Sequence, residues 1–134
     1  MPALPITSIL AAVLAIMMVL LSLPVSLRRM KLKAARGDGG DKQLGNLIRA
    51  HGNFIEYAPL GLLAVALVEA GGWGPEYVWA LGGLLVGGRL LHWWGSMASS
   101  VAIKGPAMIA THLSFLGSGV LLLASAWLAS QQPT

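Results

Sequence analysis

The sequence predicts an all-α integral membrane protein: one domain over residues 1–134, built as a bundle of four transmembrane helices. The composition is the first reason, because 56% hydrophobic and 10% charged residues, with a mean hydropathy of +0.73, cannot coat a water-soluble globule of this size. The second is a succession of four apolar stretches, each near the roughly 20 residues that a helix needs to cross the hydrocarbon. These stretches are continuous rather than alternating, which favours helices over a β-barrel.

The first two helices are predicted at about 6–27 and 44–70. The first, "ITSILAAVLAIMMVLLSLPVSL", carries no charge. A cleavable signal peptide is disfavoured, because a basic segment before the apolar run and a small-x-small site after it are both missing. "GDGG" at 37–40 has the turn chemistry to reverse the chain between the two helices.

The third and fourth helices are predicted at about 76–97 and 106–128. "GGWGP" forms a tight turn before the third helix, and the polar link "SMASSVAIKG" precedes the fourth. Two pairs of small residues at i, i+4 spacing predict close contacts between helices: Gly83 with Gly87, and Ser114 with Ser118.

The basic residues predict the orientation. Seven of them lie in two of the connections: Arg28, Arg29, Lys31, Lys33, Arg36 and Lys42 in the first, and Lys104 in the third. The positive-inside rule therefore places the first and third loops in the cytoplasm and both termini on the opposite side of the membrane. We interpret the basic run as a topology signal, and a nucleic-acid partner is not predicted.

A polar stripe interrupts the second apolar stretch. Arg49, Asn53 and Glu56 stand at i, i+4 and i+7, on one helix face, and Tyr57 flanks it. A charged residue at mid-membrane costs about 2.5–3.5 kcal/mol, so this face should meet protein, ligand or trapped water rather than lipid. Two interpretations stay open: an internal Arg49–Glu56 ion pair bridged by Asn53, or a ligand-binding face.

A second polar stripe lies in the third helix, where Arg89, His92 and Ser96 stand at i, i+3 and i+7. A hairpin of helices two and three would bring it near the first stripe. The alternative is simple anchoring at the membrane interface beside Trp93 and Trp94, which form an aromatic belt.

Other polar residues give weaker signals. His51 is expected to contact a neighbouring helix or subunit, and His112 has no partner at metal-ligand spacing, so no metal site is predicted. Glu69 is expected to be a solvated charge at the outer membrane boundary. Pro59 either kinks the second helix or shapes a pocket.

The second-helix segment "RAHGNFIEYAPL" resembles the signature of the MAPEG family, the membrane-associated proteins in eicosanoid and glutathione metabolism. The shared pattern is R-x-x-x-N-x-x-E-Y-x-P. "GRLLHWWG" at 88–95 looks like the third-helix element of the bacterial members, and the resemblance covers nearly the whole chain.

The resemblance implies a homotrimer that binds glutathione between adjacent subunits, toward the cytoplasmic side. An arginine can take a carboxylate of glutathione bidentately, and a glutamate can take its ammonium. By motif position the expected glutathione contacts are Arg49, Asn53, Glu56 and Tyr57, with Arg28 or Arg29 supplied by the neighbouring subunit.

The catalytic positions of the transferase members match this chain less well. Their helix-three tyrosines correspond to His92 and Ser96, and their helix-four arginine falls at Ile103, beside Lys104. Because a thiol needs a nearby cation to ionise at neutral pH, Lys104 or Arg89 is the expected thiolate stabiliser. His92 is the candidate base.

The expected function is a glutathione-dependent transferase or peroxidase in the bacterial inner membrane, acting on lipophilic electrophiles. The alternative is a non-catalytic protein of the same fold that binds a lipid or a partner protein. A small multidrug exporter is disfavoured, because such exporters carry an essential glutamate in helix one and this helix has no acidic residue.

Overall fold

The structure is a computed structural model that describes residues 3–131, and over this range the chain forms four α-helices. They are α1 (Pro5–Leu32), α2 (Lys42–Ala70), α3 (Pro75–Met97) and α4 (Val101–Ser130). The predicted all-α bundle of four helices is confirmed. The predicted domain also included residues 1–2 and 132–134, which lie outside the described residues.

All four helices are longer than predicted, and the difference is large for α1 and α4. α1 continues through the basic segment to Leu32 and ends where Lys33 adopts a left-handed conformation, with φ at 53°. α4 begins at Val101, five residues before the predicted start at Pro106. The prediction assigned "SMASSVAIKG", the ten residues before Pro106, to a polar link between the helices. The structure instead holds Pro106 in the second turn, where its missing N–H removes a single backbone hydrogen bond.

Contacts at one end of the bundle join the start of α1 to the end of α2. The Glu69 carboxylate accepts hydrogen bonds from the backbone N–H groups of Ile6, at 2.9 Å, and Thr7, at 2.7 Å. The expectation of a merely solvated Glu69 is therefore wrong. The first N–H groups of a helix lack partners within it, and a carboxylate there satisfies them and suits the helix dipole.

The opposite end, which we call the basic end, is where α1 and α3 finish and α2 and α4 begin. Arg28 near the end of α1 pairs with Asp41 before α2, and the Asn46 side chain of α2 donates to Ser99 Oγ at 3.3 Å, just before α4. Successive helices therefore run antiparallel. The first and third connections share the basic end, as the sequence predicts.

Three helices of the described chain, α1, α2 and α4, are long and apolar enough to cross a membrane by length and composition. α3 falls short because it carries Arg89, His92 and several glycines. Arg89, however, points into the protein and is only 2% exposed, while the outward face of α3 presents apolar side chains such as Trp79 and Trp94. The charge of Arg89 is thus shielded from the surroundings of the bundle, and all four helices form one membrane bundle.

Small residues set how closely the helices approach. Ser114 and Ser118 are fully buried, and Ser114 Oγ donates to the Leu81 carbonyl at 2.8 Å, so the predicted close contact of this pair is confirmed. Gly83 and Gly87 make no such contact within residues 3–131, because a Cβ at either position would meet nothing within 4 Å.

The close approaches of α3 use the adjacent glycines instead. A Cβ at Gly82 would collide with the side chain of Leu10 on α1. One at Gly88 would lie 2.5 Å from Thr111 Oγ1 and 2.8 Å from the Ala107 carbonyl on α4. Since the latter atom belongs to the backbone, α3 and α4 would have to separate.

We therefore expect Gly88→Ala to destabilise the protein by about 1–3 kcal/mol through overpacking. The neighbouring Gly87→Ala is the matched control, because it adds the same methyl group where space is open. Unfolding in mixed micelles with a rising fraction of denaturing detergent measures both. Equal stability of the two variants would contradict the close α3–α4 contact.

Candidate functional site

Arg89 of α3 is the most deeply buried charged side chain of the described residues. Its Nη1 donates to Asn53 Oδ1 on α2 at 2.5 Å, and its Nη2 donates to Thr111 Oγ1 on α4 at 2.6 Å. Nη2 also lies 3.4 Å from the sulfur of Met108. Arg89 thus ties three helices together by hydrogen bonds to neutral acceptors, and no carboxylate of residues 3–131 pairs with it.

Tyr57 completes this network. The guanidinium carbon of Arg89 lies 5.1 Å from the centre of the Tyr57 ring, within the range of a cation–π interaction. On α4, the rings of His112 and Phe115 meet Tyr57 edge-on, with centroids 5.9 and 6.2 Å away. The orientation of Tyr57 is therefore set by contacts with both α3 and α4.

One face of α2 is left largely open by residues 3–131, although Asp38 of the first loop lies against its Gly45 end. It consists of Gly45, Arg49, Gly52 and Glu56 at i, i+4, i+7 and i+11, and we call it the α2 free face. Arg49 and Glu56 are exposed, and a Cβ at Gly52 would meet nothing within 4 Å. The internal Arg49–Glu56 ion pair does not form, since the one salt bridge among residues 3–131 joins Arg28 and Asp41.

A cleft of about 320 Å³, which we call the basic cleft, opens at the basic end of this face. It is lined by Arg29, Gly37, Asp38, Gly45, Ile48 and Arg49. The loop turns through left-handed φ values at Gly37, Gly39 and Gly40, as "GDGG" predicts, and Asp38 Oδ1 accepts from the Gly40 N–H at 3.0 Å. The charged groups of the cleft are the guanidinium groups of Arg29 and Arg49 and the carboxylate of Asp38. Its net charge is therefore positive, which favours the binding of an anionic group.

Arg28 and Arg29 differ in their partners. Arg28 forms two hydrogen bonds to Asp41, at 2.8 and 3.2 Å, and Asp41 in turn caps α2 by accepting from the Leu44 N–H at 2.7 Å. The Arg28 guanidinium, and after it the Leu44 N–H, hold the pKa of Asp41 below its usual value. The pair is lost only as the pH falls through that lowered pKa, so Arg28 is engaged at neutral pH. Arg29 instead donates to the Ala35 carbonyl at 3.4 Å, forms no ion pair within residues 3–131 and lines the basic cleft.

An apolar groove of about 260 Å³ lies between α1 and α2, beside the α2 free face. Its lining residues are Ala11, Leu14, Ala15, Met18, Phe54, Ala58, Pro59 and Leu62. α2 continues through Pro59, and this residue shapes the wall of the groove. A polar face and an apolar groove are thus neighbours on α2.

A comparison with the sequence profiles of known protein families identifies the family of this chain. The sequence profile described as "MAPEG family" matches residues 7–127, which include most of all four helices. The chain belongs to the MAPEG family. It is also 30% identical over 122 residues to "Inner membrane protein YecN" of Escherichia coli strain K12, with 91% of each chain covered, and the same values hold for that protein of strain O6:H1.

The MAPEG signature residues are divided between two surroundings in this fold. Asn53 and Tyr57 are brought to Arg89, while Arg49 and Glu56 remain on the α2 free face. His92 is half-buried and makes no hydrogen bond to the described residues. Lys104 of α4 packs against α3 at Gly95, where an added Cβ would lie 3.0 Å from Lys104 Cγ.

Sequence reasoning missed the α4 residues of the network. Thr111 stands at i, i+3 and i+7 with Ser114 and Ser118, and this polar stripe in an apolar helix was the available signal.

Trp93, expected at the membrane interface, packs against the core, while Trp94 is 69% exposed. Within residues 3–131 no group of three or more side chains could hold a metal ion.

Proposed function

We propose that this MAPEG-family protein binds glutathione on the α2 free face and uses it in a transferase or peroxidase reaction on lipophilic electrophiles. One observation carries the proposal: Arg49 and Glu56 are exposed and unpaired on a membrane helix. Charges at that depth are costly unless something polar meets them. A zwitterionic ligand with carboxylates and an ammonium meets both.

The dimensions and charges of glutathione fit this face. Arg49 and Glu56 are seven residues apart, which is about 10 Å along a helix. A three-residue peptide spans about 10 Å when extended. One carboxylate then lies at Arg49, next to Arg29 in the basic cleft, and the ammonium lies at Glu56. Gly52 leaves room between them for the cysteinyl part.

The apolar groove supplies a place for the second substrate. A lipophilic electrophile can enter it from the bilayer and lie beside glutathione, so that the thiolate attacks it at short range. Lys104 is the remaining candidate for the cation that stabilises the thiolate, because Nη1 and Nη2 of Arg89 already donate to acceptors within the protein. His92 is the candidate base.

The proposed site is completed by a neighbouring subunit in a homotrimer, which covers the α2 free face. The E. coli relative is named an inner membrane protein, and this supports the inner membrane as the location here. The basic end then faces the cytoplasm. Native mass spectrometry in detergent measures the assembly, and a stable monomer would contradict the shared site.

A second candidate is a non-catalytic member that binds glutathione, a lipid or a partner protein without turnover. The internal hydrogen bonds of Arg89 favour it, since they remove one of the two expected thiolate-stabilising cations. The ultraviolet absorbance of bound glutathione distinguishes the candidates. A thiolate band is expected for an enzyme and none for a binding protein.

The two adjacent arginines at the end of α1 test the place of binding. We expect Arg29→Ala to weaken glutathione binding about 10-fold or more, because a charge-assisted hydrogen bond to a carboxylate is lost. Arg28→Ala is the matched control, since Arg28 is held by Asp41. Calorimetry in lipid nanodiscs measures both affinities.

The opposite result would place the ligand elsewhere. If Arg28→Ala weakened binding and Arg29→Ala did not, the basic cleft would not be part of the glutathione site. Thermal unfolding of both variants shows whether the loss of the Arg28–Asp41 pair has loosened the start of α2, in which case a change in affinity follows the change in stability.

A further inference from the structure

We propose that Arg89 is a positioning residue that turns the side-chain amide of Asn53 so that it can only donate hydrogen bonds to a ligand. The inference deepens the proposed function and rests on it. At Asn53 the protein then offers only hydrogen-bond donors, so the part of the ligand that meets Asn53 must be an acceptor, such as a carboxylate or carbonyl oxygen.

The orientation of the Asn53 amide follows from the chemistry of its neighbour. A guanidinium has only donors, so the group 2.5 Å from Arg89 Nη1 must be the amide oxygen and not the amide nitrogen. Nη1 also reaches the backbone carbonyl of Asn53 at 3.4 Å. The two ends of an asparagine amide usually look alike, but here only one assignment is possible.

Arg89 cannot turn away from Asn53 to meet a ligand itself. It is 2% exposed, and Thr111 Oγ1 accepts from its Nη2 at 2.6 Å. The hydroxyl proton of Thr111 is in turn given to the Ala107 carbonyl at 3.0 Å, so its lone pairs face Arg89. The positions of Arg89 and the Asn53 oxygen are therefore fixed together.

The amide nitrogen of Asn53 makes no strong hydrogen bond to the described residues. Its hydrogen-bond partner among the described residues is the sulfur of Met108 at 3.9 Å, which is a weak acceptor. Asn53 is half-buried and precedes Glu56 by three residues, which places it at the edge of the α2 free face. Asn53 offers donors and Glu56 offers acceptors, so the two neighbours together fix the direction of a zwitterionic ligand.

Two substitutions at position 53 separate this role from a structural one. Asn53→Asp keeps the acceptor for Arg89 but removes the N–H donors, whereas Asn53→Ala removes both. We expect Asn53→Asp to be at least as stable as the wild type but to bind glutathione about 10- to 100-fold more weakly. Asn53→Ala should be the least stable of the three proteins, yet bind no more weakly than Asn53→Asp.

Among the three proteins, Asn53→Asp should therefore rank first or equal first in stability but last or equal last in affinity for glutathione. Unfolding in mixed micelles measures the stability, and calorimetry with glutathione in nanodiscs measures the affinity. Wild-type affinity in Asn53→Asp would overturn the inference and leave the proposed function standing. Absence of glutathione binding by the wild type would remove the proposed function, and this inference with it.

A double-substitution experiment tests whether Arg89 acts through Asn53. Arg89→Lys keeps the charge but cannot hold Asn53 and Thr111 at once, and we expect it to weaken binding about 5- to 10-fold in the wild type. In the Asn53→Ala background it should have no further effect on affinity. An equal loss in both backgrounds would mean that Arg89 acts on the fold alone, and would overturn the positioning role.

The Asn53 side chain can also be observed directly. The chain has two asparagines, Asn46 and Asn53, so protein labelled with ¹⁵N-asparagine gives two side-chain amide signals. Glutathione should shift the Asn53 signal and leave that of Asn46, which bonds to Ser99 at the basic end, unchanged. An unmoved Asn53 signal in the glutathione-bound protein would contradict a direct hydrogen bond.

Discussion

Replacing Thr111 with valine is expected to destabilise the protein by about 2–3 kcal/mol, the largest loss among the single substitutions considered. Valine has nearly the shape of threonine, so packing is preserved while the acceptor of the Arg89 Nη2 hydrogen bond disappears. The buried, charged guanidinium of Arg89 then loses one of its hydrogen-bond acceptors. Unfolding in mixed micelles of rising denaturing-detergent fraction measures the loss.

Ser118→Ala is the matched control for this prediction. Ser118 lies on the same helix and is also fully buried, but its hydroxyl oxygen has no hydrogen-bond partner among residues 3–131. Removing an unsatisfied hydroxyl should leave the stability unchanged or slightly raise it. If both variants lost the same stability, the cost would come from packing in α4 and not from the support of Arg89.

Replacing Glu56 with glutamine is expected to weaken glutathione binding about 10- to 100-fold, a loss of affinity as large as the one expected for Asn53→Asp. The two side chains have the same size, and the substitution removes only the negative charge that meets the ammonium. Because Glu56 is exposed and makes no hydrogen bond to the described residues, the stability of the fold should not change.

Glu76→Gln serves as the control, because Glu76 is an exposed glutamate at the opposite end of the bundle, in the first turn of α3. It changes the net charge of the protein by the same amount without touching the α2 free face. Equal losses of affinity in the two variants would reduce the effect to long-range electrostatics. Full affinity in Glu56→Gln would place the ammonium elsewhere.

The spacing of Arg49, Asn53 and Glu56 predicted a shared helix face and, through the family signature, the fold. It could not predict which of the three has an internal partner. Helical periodicity gives the direction of each side chain only to within a fraction of a turn. Asn53 lies at the edge of that face and reaches Arg89, while Arg49 and Glu56 do not, and this difference depends on how α3 packs.

The sequence predicted that small residues would make close contacts between helices, but it did not predict which glycines of α3 would do so. α3 carries adjacent glycines at 82–83 and at 87–88, so the sequence offers two possible faces for close approach. The G-x-x-x-G pattern suggested Gly83 and Gly87, whereas Gly82 and Gly88 face the neighbouring helices. The sequence does not single out Thr111, because a threonine within an apolar helix often bonds to its own backbone alone. Thr111 makes that bond and also accepts from Arg89.

The central claim is that the α2 free face binds glutathione, and calorimetric titration of the wild-type protein in lipid nanodiscs tests it most directly. Empty nanodiscs give the blank, and the thiolate absorbance is recorded on the same samples. We predict saturable binding that Glu56→Gln weakens. Absence of saturable binding by the folded wild-type protein would contradict it, and the α2 free face would then serve another ligand or a subunit contact.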